Sequence, residues 1–466
     1  MRSSSMSSEQ LVAIVTDEKT YEVEKKKLIE QSDYFRALFG SGMKESIQDS
    51  IRLHGLSGAG LDLVLDFINT SEVQVENQSL EDLMETASFL QVTSILKILV
   101  SEIRPDNCVD LFKLSEIYGT HDLRSECLRF MSCDYHPMLR RSEFGTLPPT
   151  VRELVLEMRL KGSSTLVAIG DFTPLNQDVS EDRPWSMLTY SEVDQRWKPL
   201  SSDLPPDMLN VRGFGSAVLD NYLFIAGGYR VTSQEISAVH CYNANRNQWN
   251  QMTPLNQKRS NFKLLAVRGK LYAVGGQCLS TVECYSPETD WWTFVSPMPD
   301  PLVEFSACEC QGMIYVMGGY TARDRNTNVL RYCPSSDAWT VFGSCSTHIR
   351  KQQMLSVEET IYLVGGYTHE LQAAQQTDDV LTVQSYDVGT GCWRRLKENT
   401  SKWGLNLSCS LHNDGVFIMS RDVGPSSRLE HRVFLKYNIF SDAWEAVRRF
   451  PAHGQNMLLC SLYLPQ

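Results

Sequence analysis

Two constellations in this 466-residue chain have donor types that could take up a metal ion. Cys308-Glu309-Cys310 puts two thiols on one side of an extended segment, and His348 and His369 can share one face of a sheet. Two buried free cysteines explain the first as well as a metal would, and the histidine pair lacks a further ligand. The nine histidines are dispersed, with no HxH or HExxH pair, and no GxSxG, P-loop or Rossmann fingerprint lies in a strand-turn-helix setting. No catalytic residue, metal or cofactor is therefore expected. Arginine is the residue type that recurs where recognition could occur: Arg212, Arg230, Arg259, Arg323, Arg325 and Arg350, with Lys258, Lys351 and Arg421. A guanidinium binds carboxylate or phosphate through two parallel hydrogen bonds, so these groups could capture an acidic or phosphorylated peptide. Glu235, Asp300, Glu304, Asp324, Glu370, Asp378 and Asp379 lie in the same stretches and could equally pair with them. Tyr229, Tyr320 and Tyr367 each follow a diglycine, as aromatic contacts or as rim packing.

The elements that position these residues repeat. Tyr-x6-Trp occurs six times, at Tyr190/Trp197, Tyr242/Trp249, Tyr285/Trp292, Tyr332/Trp339, Tyr386/Trp393 and Tyr437/Trp444. Four pairs follow an apolar run ending in Gly-Gly (LFIAGG, LYAVGG, IYVMGG, IYLVGG), while LVAIGD at 166-171 and VFIMSRD at 416-422 are altered copies. Successive tryptophans stand 43 to 54 residues apart, the spacing of propeller blades, and the runs between them are short and bounded by turn formers. The glycines are expected where strands converge on a crowded central channel and a Cβ is excluded. Tyrosine and tryptophan are expected to pack neighbouring blades together. This pattern resembles the kelch repeat, and six blades are predicted. Antiparallel order A-B-C-D within a blade gathers the B-C loops and the blade-to-blade links, with the arginines above, on one face. The first repeat lacks the strand that precedes the diglycine strand elsewhere, and the apolar segment Met457-Leu464 belongs to no seventh repeat. That tail is expected to complete blade one and close the ring.

Composition sets the class. Hydrophobic residues make up 42% and charged residues 21%, as in ordinary globular proteins. A formal charge of -12 argues against nucleic acid or anionic membrane as a partner. The amino terminus has no signal-peptide core and no stretch is long enough to span a bilayer, while the odd count of 13 cysteines suits reduced thiols. A cytoplasmic, non-secreted protein is expected.

The order of segments yields four regions: a Ser-rich tail (1-9), an α/β domain (10-104), a helical segment (105-160) and the all-β repeats (161-466). A hairpin is expected over 11-24, a helix over 28-39, a short strand at IRLHGL, and helical runs at 61-70 and 80-103. SDYFRALF, GMKES, LDLVLDFINT and ASFLQV resemble, in order and spacing, the BTB (POZ) domain of the BTB-kelch family. PDNCVDLFKLSEIYGTHDLRSECLRFM, two helical patterns divided at Gly119, resembles the beginning of the BACK domain, here cut short. The resemblance implies a BTB homodimer and a substrate adaptor for cullin-3 ubiquitin ligases, with Met43 and Glu45 in the cullin-binding hydrophobic-x-Glu element. Phe39, Asn69 and Tyr118 are further candidate contacts, and Asn69 departs from the tyrosine usual in the family. The alternative is a scaffold without ligase activity that links cytoskeletal partners.

Overall fold

The computed structural model describes residues 10-42, 48-174, 185-232, 234-370, 381-400, 408-422 and 431-465. Two compact units divide the chain, Met1–Met158 and Arg159–Gln466. In the first, Leu11–Val15 pairs antiparallel with Thr20–Glu24 and parallel with Ser50–Arg52. Alternation turns Val12, Ile14 and Val23 into the core, against Leu28, Phe35, Leu61 and Leu83. The helix expected over 28-39 is two helices, Lys25–Gln31 and Asp33–Gly40. Ser32 divides them with extended backbone, accepting from the Phe35 amide at 3.2 Å and donating to the Leu90 carbonyl at 2.5 Å. The run 80-103 also breaks, into Leu80–Phe89 and Thr93–Ser101, because Gln91 takes a left-handed φ of 51° between them. Gly119, at φ 67°, ends Cys108–Tyr118 before His121–Cys133, and three further helices follow.

The second unit is a six-bladed propeller of four-stranded antiparallel sheets. Its inner strands are Ala452–Leu464, Gly215–Leu219, Lys263–Val267, Ser306–Cys310, Gln353–Val357 and Ser408–His412, and they touch one another in cyclic order. No strand ladder joins one four-stranded sheet to the next among the described residues, so packing and isolated hydrogen bonds carry the ring. The carboxy-terminal strand does supply the missing strand of blade one. It begins earlier than its apolar segment and pairs from Ala452↔Pro174 to Leu464↔Ser163, with an irregularity between Gln455 and Leu458.

All six Tyr-x6-Trp pairs are cross-strand neighbours in register, with ring centroids 4.8-5.2 Å apart. Four of the tyrosines donate to the side chain five residues on, Asn247, Asp290, Asp337 or Asp442, at 2.7-2.8 Å. Those four turn residues have φ of 47-51°, a conformation that Asn and Asp tolerate. Four indoles then reach the preceding blade: Trp292 Nε1 donates to Thr253 O, Trp339 to Ser296 O, Trp393 to Ser344 O and Trp444 to Lys397 O, at 2.9-3.0 Å. The Ser296 amide and the Tyr332 hydroxyl hold the Asp337 carboxyl below the usual carboxylate range. Its contribution to stability is thus present at neutral pH and lost as pH falls through that depressed value.

An internal control tests this stitching. Trp339→Phe should destabilise the propeller by about 1 kcal/mol through the lost hydrogen bond. Trp249→Phe should cost less, because the Trp249 Nε1 is buried without a partner among the described residues. Equal losses in denaturant titrations would show that the indole bonds do not hold neighbouring blades together.

The diglycines correct one expectation. They end the second strand of blades two to five rather than the channel-lining one; the first glycine of blades two to four is crowded by the link arriving at the next blade, and the second glycine by the link into its own blade. A Cβ on Gly318 would lie 2.1 Å from the Ile349 carbonyl oxygen, at a φ of 69° that a side chain rarely adopts.

Candidate functional site

On the loop face the links lie against the B-C loops: Arg212 bridges Tyr229, which bridges Glu235, and Tyr320 bridges both Val303 and Arg325. The basic residues gathered there have different surroundings. Arg259 is a correction, since it has no exposed side-chain surface and pairs with the equally buried Glu283 at 3.0 Å. It also donates to the Gly275 and Thr281 carbonyls at 2.7 Å, while Glu283 accepts from the Asn256 and Gln257 amides. A guanidinium with its hydrogen bonds met inside the protein is a structural bolt and cannot receive a ligand. Sequence position alone placed it in a loop; the carboxylate that claims it lies 24 residues on, in the strand Leu279–Ser286.

Arg350 and Lys351 share Glu304, at 3.4 and 3.1 Å. Arg350 also stands 5.8 Å from the Tyr320 ring, whose other neighbour is His348 at 4.8 Å between ring centroids. Tyr320, Arg350 and His348 therefore form one cluster. His348 and His369 are direct partners in a two-stranded ladder, and His348 Nε2 lies 3.1 Å from the Gly319 carbonyl oxygen, a hydrogen-bonding contact. Arg230, Lys258, Arg323 and Arg325 are exposed and make no ion pair among the described residues. Arg212 is exposed as well. Among the described residues, four cations of this face thus have no acidic partner. The side chains of Tyr367, Glu370 and Arg421, and all of Asp378 and Asp379, lie outside the described residues. Cys308 and Cys310 are buried free thiols, the latter pushed up to about 11 by burial.

Sequence reasoning missed an apolar slot between the first two blades. Ile169, Met208, Val211, Phe214 and Ile225 line it, and His240 Nε2 lies 2.9 Å from Asp207 Oδ2 at its wall. Asp207 sits in a 3-10 turn of the link Pro206–Met208, which carries no repeat signal.

In the first unit Met43 and Glu45 lie outside the described residues. Phe39 is half-buried, 6.1 Å from Phe35 between ring centroids and 4.5 Å from the Lys25 ammonium. Asn69 is exposed near the end of helix Gly58–Thr70, its carbonyl accepting from Lys27 Nζ at 3.4 Å. Tyr118 is half-buried at the end of its helix; burial, then the nearby Glu85, Glu81 and Asp82, push its hydroxyl pKa up. Beside it Ile117 is an apolar side chain 69% exposed, which the sequence left unmarked. No hydrogen bond, ion pair or ring contact among the described residues joins Phe39, Asn69 and Tyr118, which stand as separate candidates.

Comparison with known families matches residues 7-106 to the BTB/POZ domain and residues 211-256, 258-299 and 301-346 to the Kelch motif. Kelch-like protein 42 of Mus musculus is 56% identical over 488 aligned residues, covering 99% of each chain. The chain belongs to the BTB-kelch family. Kelch-like protein 42 of Homo sapiens is 55% identical, again over 99% of both chains. Kelch repeat and BTB domain-containing protein 13 of Mus musculus is 28% identical over 57% of this chain and 56% of its own. The three matched motifs of this BTB-kelch chain are blades two to four. Blades one and six have lost the diglycine, and blade five separates its own from the next strand of the sheet by a long insertion. Like the propeller, the BTB domain marks the chain for protein-protein interaction. No helix among the described residues is long and apolar enough to cross a membrane.

Proposed function

We propose that this protein is the substrate-recognition adaptor of a cullin-3 RING ubiquitin ligase. The observation that carries the reading is the union, in one chain of this family, of a BTB domain with a propeller whose loop face keeps Arg230, Lys258, Arg323 and Arg325 exposed and without an ion pair among the described residues. The BTB domain binds cullin-3 through Met43 and Glu45, with Phe39, Asn69 and Tyr118 at the edges of the contact, and pairs with a second copy. The propeller takes a protein substrate with Arg212, Arg230, Arg323, Arg325, Tyr320, Arg350 and Tyr367. The adaptor acts in the cytoplasm and makes or breaks no bond itself: it raises the effective concentration of the ubiquitin-loaded enzyme beside substrate lysines, and a dimer permits bivalent capture. The regions 10-104, 105-160 and 161-466 are its ligase-binding, connecting and substrate-binding parts.

Calorimetric titration of the full chain with the amino-terminal domain of cullin-3 tests this. Wild type should bind, and Met43→Ala/Glu45→Ala should bind at least tenfold more weakly, about 1.4 kcal/mol or more. Absence of heat from a folded wild-type chain would sink the ligase reading and leave the cytoskeletal scaffold.

A further inference from the structure

The six inner strands enclose a central channel of about 690 Å³. Lys263, Gln353 and Ser408 are the first residues of their inner strands, so they stand at one level, where the links from the loop face enter. Arg212 lines the same channel from the link that precedes blade two. Both charged residues among the described lining residues are cations, and none of these residues is aspartate or glutamate. Lys263 is half-buried and makes no ion pair or side-chain hydrogen bond among the described residues. Burial pushes its ammonium pKa down, and no carboxylate of the described residues offsets the shift. The Gln353 carboxamide also has no partner among the described residues, leaving its N–H groups to donate. The Ser408 hydroxyl accepts from the Leu459 amide at 2.8 Å and keeps its own proton for an acceptor. A half-buried cation, an amide and a hydroxyl line the channel at one level, and none of the described residues lining it is acidic.

We propose that the upper end of the channel binds one anionic group, a carboxylate or a phosphate, with Lys263 supplying the charge, Gln353 and Ser408 the flanking donors, and Arg212 the entrance. A group arriving there restores to Lys263 the compensation that burial removed. The site lies below the loops that receive substrate in the reading above and goes beyond that reading. Its occupant is either a free oxyanion or an acidic side chain inserted from a protein on the loop face.

The test titrates the full chain, at low salt, with inorganic phosphate and separately with a penta-glutamate peptide. Wild type, Lys263→Met, Lys263→Gln and Lys263→Arg are compared, with thermal melts confirming that each is folded. At least one probe should bind wild type, weaken tenfold or more in both neutral variants, and persist within severalfold in the arginine variant. Phosphate alone would identify a free oxyanion; the peptide would identify an inserted side chain. Failure of both probes with wild type, or unchanged binding in the neutral variants, would overturn the site. Cullin-3 binding should be the same in all four proteins, so this inference and the ligase reading fail separately.

Discussion

A chain stopped after Pro451 should lose the unfolding transition of its propeller altogether. The strand Ala452–Leu464 contributes eleven registered pairs to blade one, and its side chains feed two interfaces rather than one. Leu459 packs with Phe417 and Phe434 of blade six, whereas Leu458, Cys460 and Leu462 pack with Leu223, Ile225 and Tyr242 of blade two. Polar links follow the same division. Ser461 Oγ lies 2.9 Å from His412 Nδ1 on one side, and Asn221 exchanges two hydrogen bonds with the Tyr463 backbone, at 2.7 and 2.8 Å, on the other. Burial of the three leucines alone is worth roughly 5-9 kcal/mol, comparable with the whole stability of a typical domain at about 5-15 kcal/mol. Scanning calorimetry of the truncated chain should therefore retain the melt of the helical unit and lack that of the sheet unit. A propeller that still melted cooperatively would show that this strand is dispensable for closure.

Glu283→Ala should be the most damaging single substitution in the propeller, destabilising it by about 3-5 kcal/mol. The loss comes from what remains: Arg259, still charged, would be held at 0% side-chain exposure with no counter-ion. The Asn256 and Gln257 amides would lose their acceptors at the same time. Replacing both partners with apolar residues, Arg259→Met/Glu283→Leu, should recover much of the deficit, since no buried charge then survives. The two orphaned amides make the recovery incomplete. Denaturant titration of both variants reads the difference directly. A double variant no more stable than Glu283→Ala would mean that the cost lies in the geometry of the link and not in the stranded charge.

The repeat was legible because its signal is chemical as well as periodic. The Tyr332-to-Trp339 spacing is fixed by a two-strand turn whose Asp337 must take positive φ, accept from the tyrosine and receive the Ser296 amide of the blade before. The turn residue recurs as Asn or Asp in four repeats, and the Tyr-x6-Trp spacing in all six, so six copies could be counted. The breaks at Ser32 and Gln91 were not legible, since each lies inside an apolar pattern that continues helical spacing on both sides; the Ser32–Leu90 hydrogen bond involves residues far apart in sequence. The arginines show the same limit. Strand order assigned Arg259 and Arg323 alike to the loop face, and only the fold places Glu283 against the first while leaving the second exposed. Lys263 escaped notice because it begins an inner strand, FKLLAV, whose hydrophobic pattern is otherwise ordinary.

The pairing of blade one has a temporal side. Residues 163-174 leave the ribosome nearly 300 residues before the strand that completes their sheet. At roughly 5-20 residues per second, that edge waits on the order of tens of seconds while five further blades are made. A nascent chain must shield an open sheet edge throughout this interval, so slow translation or a stall in the last blades favours capture by chaperones, or mispairing with a neighbouring nascent chain, over ring closure.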